Sequence, residues 1–299
     1  MKVIRLALTE AGLTEERIAR DTLGGAERFF LMWERYLLQA GYAVSRWPQP
    51  PQGEYDLCVH SNFFDHNVKA KKHLLWGGGC EVRDSARFAD RIVILTDYMR
   101  ELLGWPEGFC EIIPAPYDHA LLAQRTEDYV PHRIVSNSNP SRFYDHMVTV
   151  ADLLVQKGID FEWHFCGGSK LYCEAFPERF DLTSHPKLVY RGVLGRQEMI
   201  EMVNSGHVLA YPSFDDITWE TQGVAFLEAA ALGLPVILTK KRPFIDVMPE
   251  AILMEDVAGF VRAIKGAFEF KKRMVYSELD RYDSDMIFER LLQIVRDMT

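Results

Sequence analysis

The chain has 299 residues, 48% hydrophobic and 26% charged, which excludes a disordered or fibrous protein and suggests two domains of ordinary size. Lys and Arg number 34 against 43 Asp and Glu, and the net charge of −9 is spread over both halves, so the chain is not built to grip nucleic acid through phosphates. Five cysteines without a CxxC spacing argue against a disulfide framework or structural zinc, and no run of 18 apolar residues offers a membrane span.

Val3–Leu8 reads as a strand rather than a signal peptide, because Arg5 breaks the apolar run. Ala26–Ala40 reads as a helix, with Phe29, Phe30, Trp33, Leu37 and Leu38 at helical spacing and Gly41 as its stop. Tyr55–Val59, His73–Trp76, Arg91–Leu95 and Glu111–Pro114 read as short strands, with a helix at Tyr98–Leu103. The rhythm then restarts. Strands are predicted at Arg133–Ser136, Phe161–Cys166, Leu188–Arg191, Val208–Tyr211 and Pro235–Leu238, and helices at His146–Lys157, Gln197–Asn204, Gly223–Leu232, Val257–Lys272 and Asp285–Asp297.

Short apolar runs alternating with amphipathic helices, twice over, are the signature of parallel α/β sheets. The expected fold is α/β, with two Rossmann-like doubly wound domains facing each other across a cleft. The polar stretch Asp118–His132 marks the boundary, giving domains at 1–125 and 132–280, with a closing helix at 284–299 that packs back on the first. In such sheets ligands bind outside the carboxyl ends of the strands.

The densest motif is Glu220-Thr-Gln-Gly-Val-Ala-Phe-Leu-Glu228, followed by Ala-Ala-Ala-Leu-Gly233-Leu-Pro235-Val-Ile. A helix starting near Gly223 would offer free backbone N–H groups to an anion, and glycine allows close approach. Eight helical steps put Glu228 about 12 Å beyond Glu220. The two carboxyls of a retaining glycosidase are only ~5 Å apart, so these two do different jobs on one ligand. The plain alternative is a solvated helix Glu and an N-terminal Glu that favours the dipole.

Glu-x7-Glu followed by small-Ala-x-Gly-x-Pro-Val-Ile resembles the glycosyltransferase group 1 family, retaining enzymes of GT-B architecture that use sugar nucleotides. Pro212-Ser213 resembles the family's strand-end Pro-Ser, and Gly24-Gly25-Ala26-Glu27-Arg28 its first glycine loop. Cys110–Asp118 resembles its hinge strand, Phe165-Cys166-Gly167-Gly168 its second glycine turn, and Val189–Val193 its Phe-x-Gly-x-Val segment, which puts Val193 in the donor set. The resemblance implies that Glu228 binds the donor ribose and that Glu220 lies beside the transferred sugar. It also implies that the backbone of Gly223, Val224 and Ala225 holds the diphosphate, with Gly24 and Gly25 approaching from the other domain. A plain strand–helix turn is the alternative for that glycine pair.

The chain departs from the family at two places. Where an Arg and a Lys usually grip the diphosphate, it reads Ser136-Asn-Ser-Asn-Pro-Ser-Arg142, which leaves Arg142 and, after Gly168, Lys170 as candidate cations. Either reads equally as a solvated surface residue. Where the family often has a His, the chain has Gly77-Gly78-Gly79-Cys80-Glu81; His60 is the nearest substitute, with a satisfied structural histidine as the alternative. The glycine run suggests close approach to a ligand or a mobile lid.

No metal site is expected. Asp283-Ser-Asp285 reads as an N-cap, and Asp215-Asp216 as loop polarity or acceptor contact. The expected function is a metal-independent, retaining, hexosyltransferase-type glycosyltransferase without a cofactor. Its partners would be a nucleoside-diphosphate sugar and a hydroxyl-bearing acceptor, whether glycan, lipid-linked or small molecule, with no nucleic acid and no transmembrane segment. Alternatives are a catalytically silent sugar-nucleotide-binding subunit and a GT-B sugar-nucleotide epimerase. A dehydrogenase is disfavoured, because no GxGxxG follows either opening strand. The basic run His66–His73 reads as a solvated helix face, with contact to an anionic acceptor or a membrane surface as the alternative, and the expected location is the cytoplasm, with peripheral membrane contact as a variant.

Overall fold

The computed structural model describes residues 5–9, 18, 25–46, 54–79, 82–167, 185–214 and 222–299. Gly24, Lys170, Glu220, the Asp215-Asp216 pair and Cys80-Glu81 lie outside the described residues. The chain forms two compact units, one of residues 1–116, 218–222 and 281–299, the other of residues 117–217 and 223–280.

The first unit carries β1 (Arg5–Thr9), α1 (Gly25–Gln39), β2 (Ala43–Arg46), β3 (Tyr55–Ser61), β4 (Ala70–Gly77), α2 (Val82–Ser85), β5 (Arg91–Ile94), α3 (Asp97–Leu103) and β6 (Glu111–Ile112). All six strands are parallel in the order β2-β1-β3-β4-β5-β6. The helical spacing of α1 buries Phe29, Phe30, Trp33 and Leu37 on one face, and each such burial stabilises by roughly 1.5–3 kcal/mol. Phe29 stacks on Trp76 of β4 at 4.5 Å. Thr96 caps α3 by accepting from the Met99 N–H, and Gly104 ends it in the left-handed region.

β3 and β4 are joined by only eight residues, Asn62–Lys69, without a helix, whereas parallel crossovers usually take a dozen or more residues. Phe64 from this loop stacks on His60 at 4.3 Å and lies 4.8 Å from His73, covering that part of the sheet in place of a helix. The basic run 66–73 is not a helix face: Lys71 and Lys72 stand in β4 itself, where Lys71 pairs with Asp56 at 2.7 Å and Lys72 with Asp90 at 3.3 Å.

The second unit carries β7 (Arg133–Ser136), α4 (Tyr144–Gln156), β8 (Glu162–Phe165), β9 (Leu188–Tyr190), α5 (Arg196–Asn204), β10 (Val208–Tyr211), α6 (Val224–Ala231), β11 (Val236–Thr239), α7 (Phe244–Val247), β12 (Ile252–Met254) and α8 (Val257–Ala267). Its sheet is parallel in the order β12-β11-β10-β7-β8-β9. The short strands are buried along nearly their whole length, as sheets covered on both faces require. Each unit is thus Rossmann-like, a six-stranded parallel sheet with flanking helices.

The chain passes from the first unit to the second at Pro116–Tyr117. The turn that follows, His119–Gln124, buries Leu121, and the Gln124 carbonyl accepts from Asn204 Nδ2 at 2.8 Å. Arg273 is buried behind it, donating to the carbonyls of Thr126, Gly206 and Asn204. The closing helix α9 (Ser284–Met298) returns to the first unit. Its Phe288 stacks on Tyr36 at 4.5 Å and on Phe29 at 5.6 Å, and Arg290 donates to the Ile112 carbonyl. Among the described residues no helix is long and apolar enough to cross a membrane.

Candidate functional site

In the second unit the chain starts at β7, runs outward to β9, and then returns to the other side of β7 as β10. The strand order reverses between β7 and β10, and at such switch points doubly wound sheets hold ligands at the strands' carboxyl ends. Ser136 ends β7 there; its hydroxyl donates to the Ala210 carbonyl at 2.7 Å and accepts from Trp163 Nε1 at 2.9 Å. The next loop is shaped by Asn139, whose side chain accepts from the Ser141 N–H ahead of the 3-10 turn Pro140–Arg142. Arg142 is half-buried in that turn.

Asn137 Nδ2 donates to the Ala225 carbonyl in the first turn of α6 at 3.2 Å, while its Oδ1 is buried without a hydrogen-bond partner. Next to this loop β8 is followed by Cys166-Gly167. Gly167 has φ +105°, and a Cβ there would lie 2.9 Å from the Ser138 carbonyl oxygen, so the two loops touch only because the residue is glycine. Tyr190 at the end of β9 donates to the Gly167 carbonyl at 2.7 Å, and burial raises its phenol pKa. Burial, with the Glu228 charge second, pushes the Cys166 thiol up to about 12, so it stays protonated.

The helix expected from Gly223 starts at Val224. Gly223 is its N-cap, with φ +81° and ψ 61°. A Cβ on Gly223 would meet the Phe226 ring at 1.8 Å, so glycine is required by the helix's own packing whatever binds there. The first N–H groups of a helix have no partner within it, which leaves those of Val224 and Ala225 as donors at the start of α6. One residue earlier, the buried Gln222 carboxamide, which belongs to the first unit, closes two 2.6 Å hydrogen bonds with the backbone of Ala115.

Glu228 is one turn along α6 and only 9% exposed. Its Oε1 accepts from Arg196 Nη1 at 2.6 Å. Arg196 is the first residue of α5, after Gly195, whose N–H is capped by Glu198 at 3.0 Å. Val193 precedes it and is 41% exposed. Beyond β11, Lys241 Nζ donates to Ser213 Oγ at 3.2 Å, tying a cation to the Pro-Ser segment. Of the residues expected from sequence, Arg142, Val193, Gly223, Val224, Ala225 and Glu228 all sit on loops or helix starts at this end of the second unit's sheet. Asn137, Arg196 and Lys241 were missed. Arg196 and Lys241 each carry a weak signal, a cation directly after a strand–glycine segment or a strand.

In the first unit the order reverses between β1 and β3, and His60 lies there, near the end of β3. It is fully buried. Asp65 N–H donates to Nδ1 at 3.1 Å, so the ring proton sits on Nε2 and points at His73 Nδ1, 2.9 Å away. Burial first, and then the neighbouring His73, lowers its pKa to about 3, so it is neutral at pH 7. In this structure His60 is an internal hub. Gly25 opens α1 and is exposed.

Among the described residues, one group could offer donors to a metal: Cys58, His60 and His73, with ligand atoms within 4.8 Å of one another. His60 turns opposite ring nitrogens to its neighbours, Nδ1 to Cys58 Sγ at 3.9 Å and Nε2 to His73. The three therefore form a chain and do not converge on a point, and burial raises the Cys58 thiol pKa away from the thiolate a metal needs. The glycine run that follows β4 also has an internal cause. Asn62 Oδ1 accepts from the N–H groups of Gly78 and Gly79 at 2.6 and 3.0 Å, and a Cβ on Gly78 would meet the Trp76 ring at 2.8 Å.

Residues 135–269 match the family model described as Glycosyl transferases group 1. Among solved structures, AviGT4, a glycosyltransferase involved in avilamycin A biosynthesis, superposes with a TM-score of 0.67 at 12% identity, over 98% of this chain and 97% of that one. A glycosyltransferase from Rickettsia africae ESF-5 gives 0.65 at 11% identity, over 100% and 99%. An α-glucosyltransferase solved with UDP and a 13-mer DNA gives 0.60 at 11% identity, over 98% and 100%. At these identities the likeness is one of fold. No curated protein matches the chain.

Proposed function

We propose that this chain, whose residues 135–269 match the Glycosyl transferases group 1 model, is a retaining glycosyltransferase that moves a sugar from a nucleoside-diphosphate sugar to a hydroxyl acceptor without a metal. The observation that carries the reading is the convergence of Glu228, Asn137 and the first turn of α6 at the switch point of the second sheet. There a ribose meets a carboxylate, and a diphosphate meets backbone donors and the positive end of a helix. Glu220 faces the transferred sugar, and the acceptor belongs to the first unit.

The reaction needs the departing diphosphate stabilised and the acceptor hydroxyl deprotonated on the same face of the sugar. The departing phosphate oxygen takes that proton as the glycosidic bond forms. The protein then contributes orientation and fixed donors for the developing charge. Arg142 and Lys241, half-buried cations at this edge, suit that charge.

The test is a panel of nucleoside-diphosphate sugars with simple alcohol acceptors, read by release of nucleoside diphosphate and by the anomeric configuration of the product. Turnover that survives EDTA with retention of configuration is expected. Inversion, or loss on chelation with recovery on adding manganese, would overturn the retaining or the metal-free part respectively.

A further inference from the structure

Glu228 stands alone in its helix as an ionisable side chain. The other seven residues of α6 are Val, Ala, Phe or Leu, and the helix runs through a buried environment. A carboxylate in such a place is stable only if it is paired and hydrogen-bonded. Arg196 provides the pairing, with Nη1 2.6 Å from Oε1 and both side chains only about one-eighth exposed, at 13% and 12%. Oε2 has no hydrogen-bond partner among the described residues. One oxygen is thus fixed and the other left to accept.

We propose that Arg196 is a positioning residue for donor recognition: it fixes the Glu228 carboxylate so that its remaining oxygen accepts from the ribose hydroxyls, and so sets the preference for ribo- over deoxyribonucleotide donors. The inference rests on the reading of Glu228 as the ribose contact. Two features make Arg196 fit for this. Its backbone is held at the start of α5, where the Glu198 carboxylate caps the Gly195 N–H. Its guanidinium also cancels the carboxylate's charge on the same helix whose first turn is to meet a diphosphate, so Glu228 does not repel the anion it helps to bind. A lone Glu could swing between rotamers. A Glu held by a charge-assisted bond cannot do so without breaking it.

The experiment measures affinities of UDP, GDP and ADP, each with its 2′-deoxy counterpart, by calorimetry on the full chain, and continues with the tightest pair. Wild type is expected to favour the ribonucleotide. In Arg196→Ala, ribonucleotide affinity should fall roughly tenfold to a hundredfold, the range for losing a charged hydrogen bond. The ribo/deoxy ratio should collapse toward one, and donor KM should rise with kcat little changed. Arg196→Lys should restore part of the ratio, and Arg196→Ala added to Glu228→Ala should cost little more than Glu228→Ala alone. Thermal melts of each variant separate misfolding from lost positioning, and Arg196→Lys carries the test if Arg196→Ala does not fold. If Glu228→Ala abolishes the ratio while both Arg196 variants keep it, the positioning role is wrong and the ribose reading stands. If Glu228→Ala leaves affinity and ratio unchanged, or no nucleotide of the panel binds, the ribose reading fails and takes this inference with it.

Discussion

Replacing Gly223 with alanine should destabilise the second unit by several kcal/mol. The added Cβ would sit 1.8 and 2.1 Å from two atoms of the Phe226 ring. Phe226 is itself only 2% exposed and packs edge-to-face on Phe244 at 5.2 Å, so the ring has no free space to enter. Forcing a buried side chain off its rotamer costs typically about 1–3 kcal/mol. Holding a non-glycine residue at φ +81° adds roughly 1–3 kcal/mol more. The sum is about 2–6 kcal/mol, a large part of the ~5–15 kcal/mol that stabilises an ordinary domain. Urea unfolding followed by intrinsic fluorescence would read it as a shift in midpoint. Phe226→Ala removes the clash but not the backbone strain, so the double variant should be destabilised by less than the sum of the two singles. Gly223→Ala within about 0.5 kcal/mol of wild type, the range of an innocuous surface change, would refute the packing argument.

Glu220→Ala should lower turnover far more than it lowers affinity for a plain nucleoside diphosphate, and equal losses in both would remove the assignment of Glu220 to the sugar. His60 makes stability depend on pH. Its folded pKa of about 3 lies below the unfolded value of 6.5, so the unfolded chain binds the extra proton and stability falls as pH drops through that window. The slope approaches about 1.4 kcal/mol per pH unit for one proton. His60→Gln should therefore flatten the stability profile between pH 6.5 and 4.5, and an unchanged slope would contradict the burial account. Asn62→Ala removes the acceptor for the N–H groups of Gly78 and Gly79 from a residue at φ 56°, and should cost roughly 1–3 kcal/mol by chemical denaturation. Asn62→Asp keeps the acceptor and should cost less.

Much of the fold could be read from apolar spacing. The Phe29, Phe30, Trp33 and Leu37 stripe of α1 has the helical period, and β7, β10 and β11 are near-continuous apolar runs, as strands covered on both faces should be. The start of β4 could not be read, because Lys71 and Lys72 are neutralised by Asp56 and Asp90, which are distant in sequence. Of the outer strands, β2 is half polar and only partly buried, and β12 has only three residues, so neither stands out as an apolar run. At the candidate site, the Glu-x7-Glu spacing marked Glu228, but nothing local marked Arg196, 32 residues earlier, as its partner. Gly77–Gly79 invited a ligand-approach reading. The carboxamide of Asn62 and the Trp76 ring give Gly78 an internal cause, and neither contact is visible in the glycine run itself.

The helix-free link between β3 and β4 bears on how the first unit folds. Parallel pairing normally waits on a long loop to close, and that closure is what makes such sheets slow. Here Ser61 is followed after only eight residues by Ala70, and six register pairs from Tyr55↔Ala70 to Ser61↔Trp76 form at short sequence separation. The loop also carries Phe64, which closes on His60 and His73 as soon as the strands meet. This strand pair is therefore the cheapest place in the first sheet to begin, and β1 and β5 can add to a template already formed on either side of it.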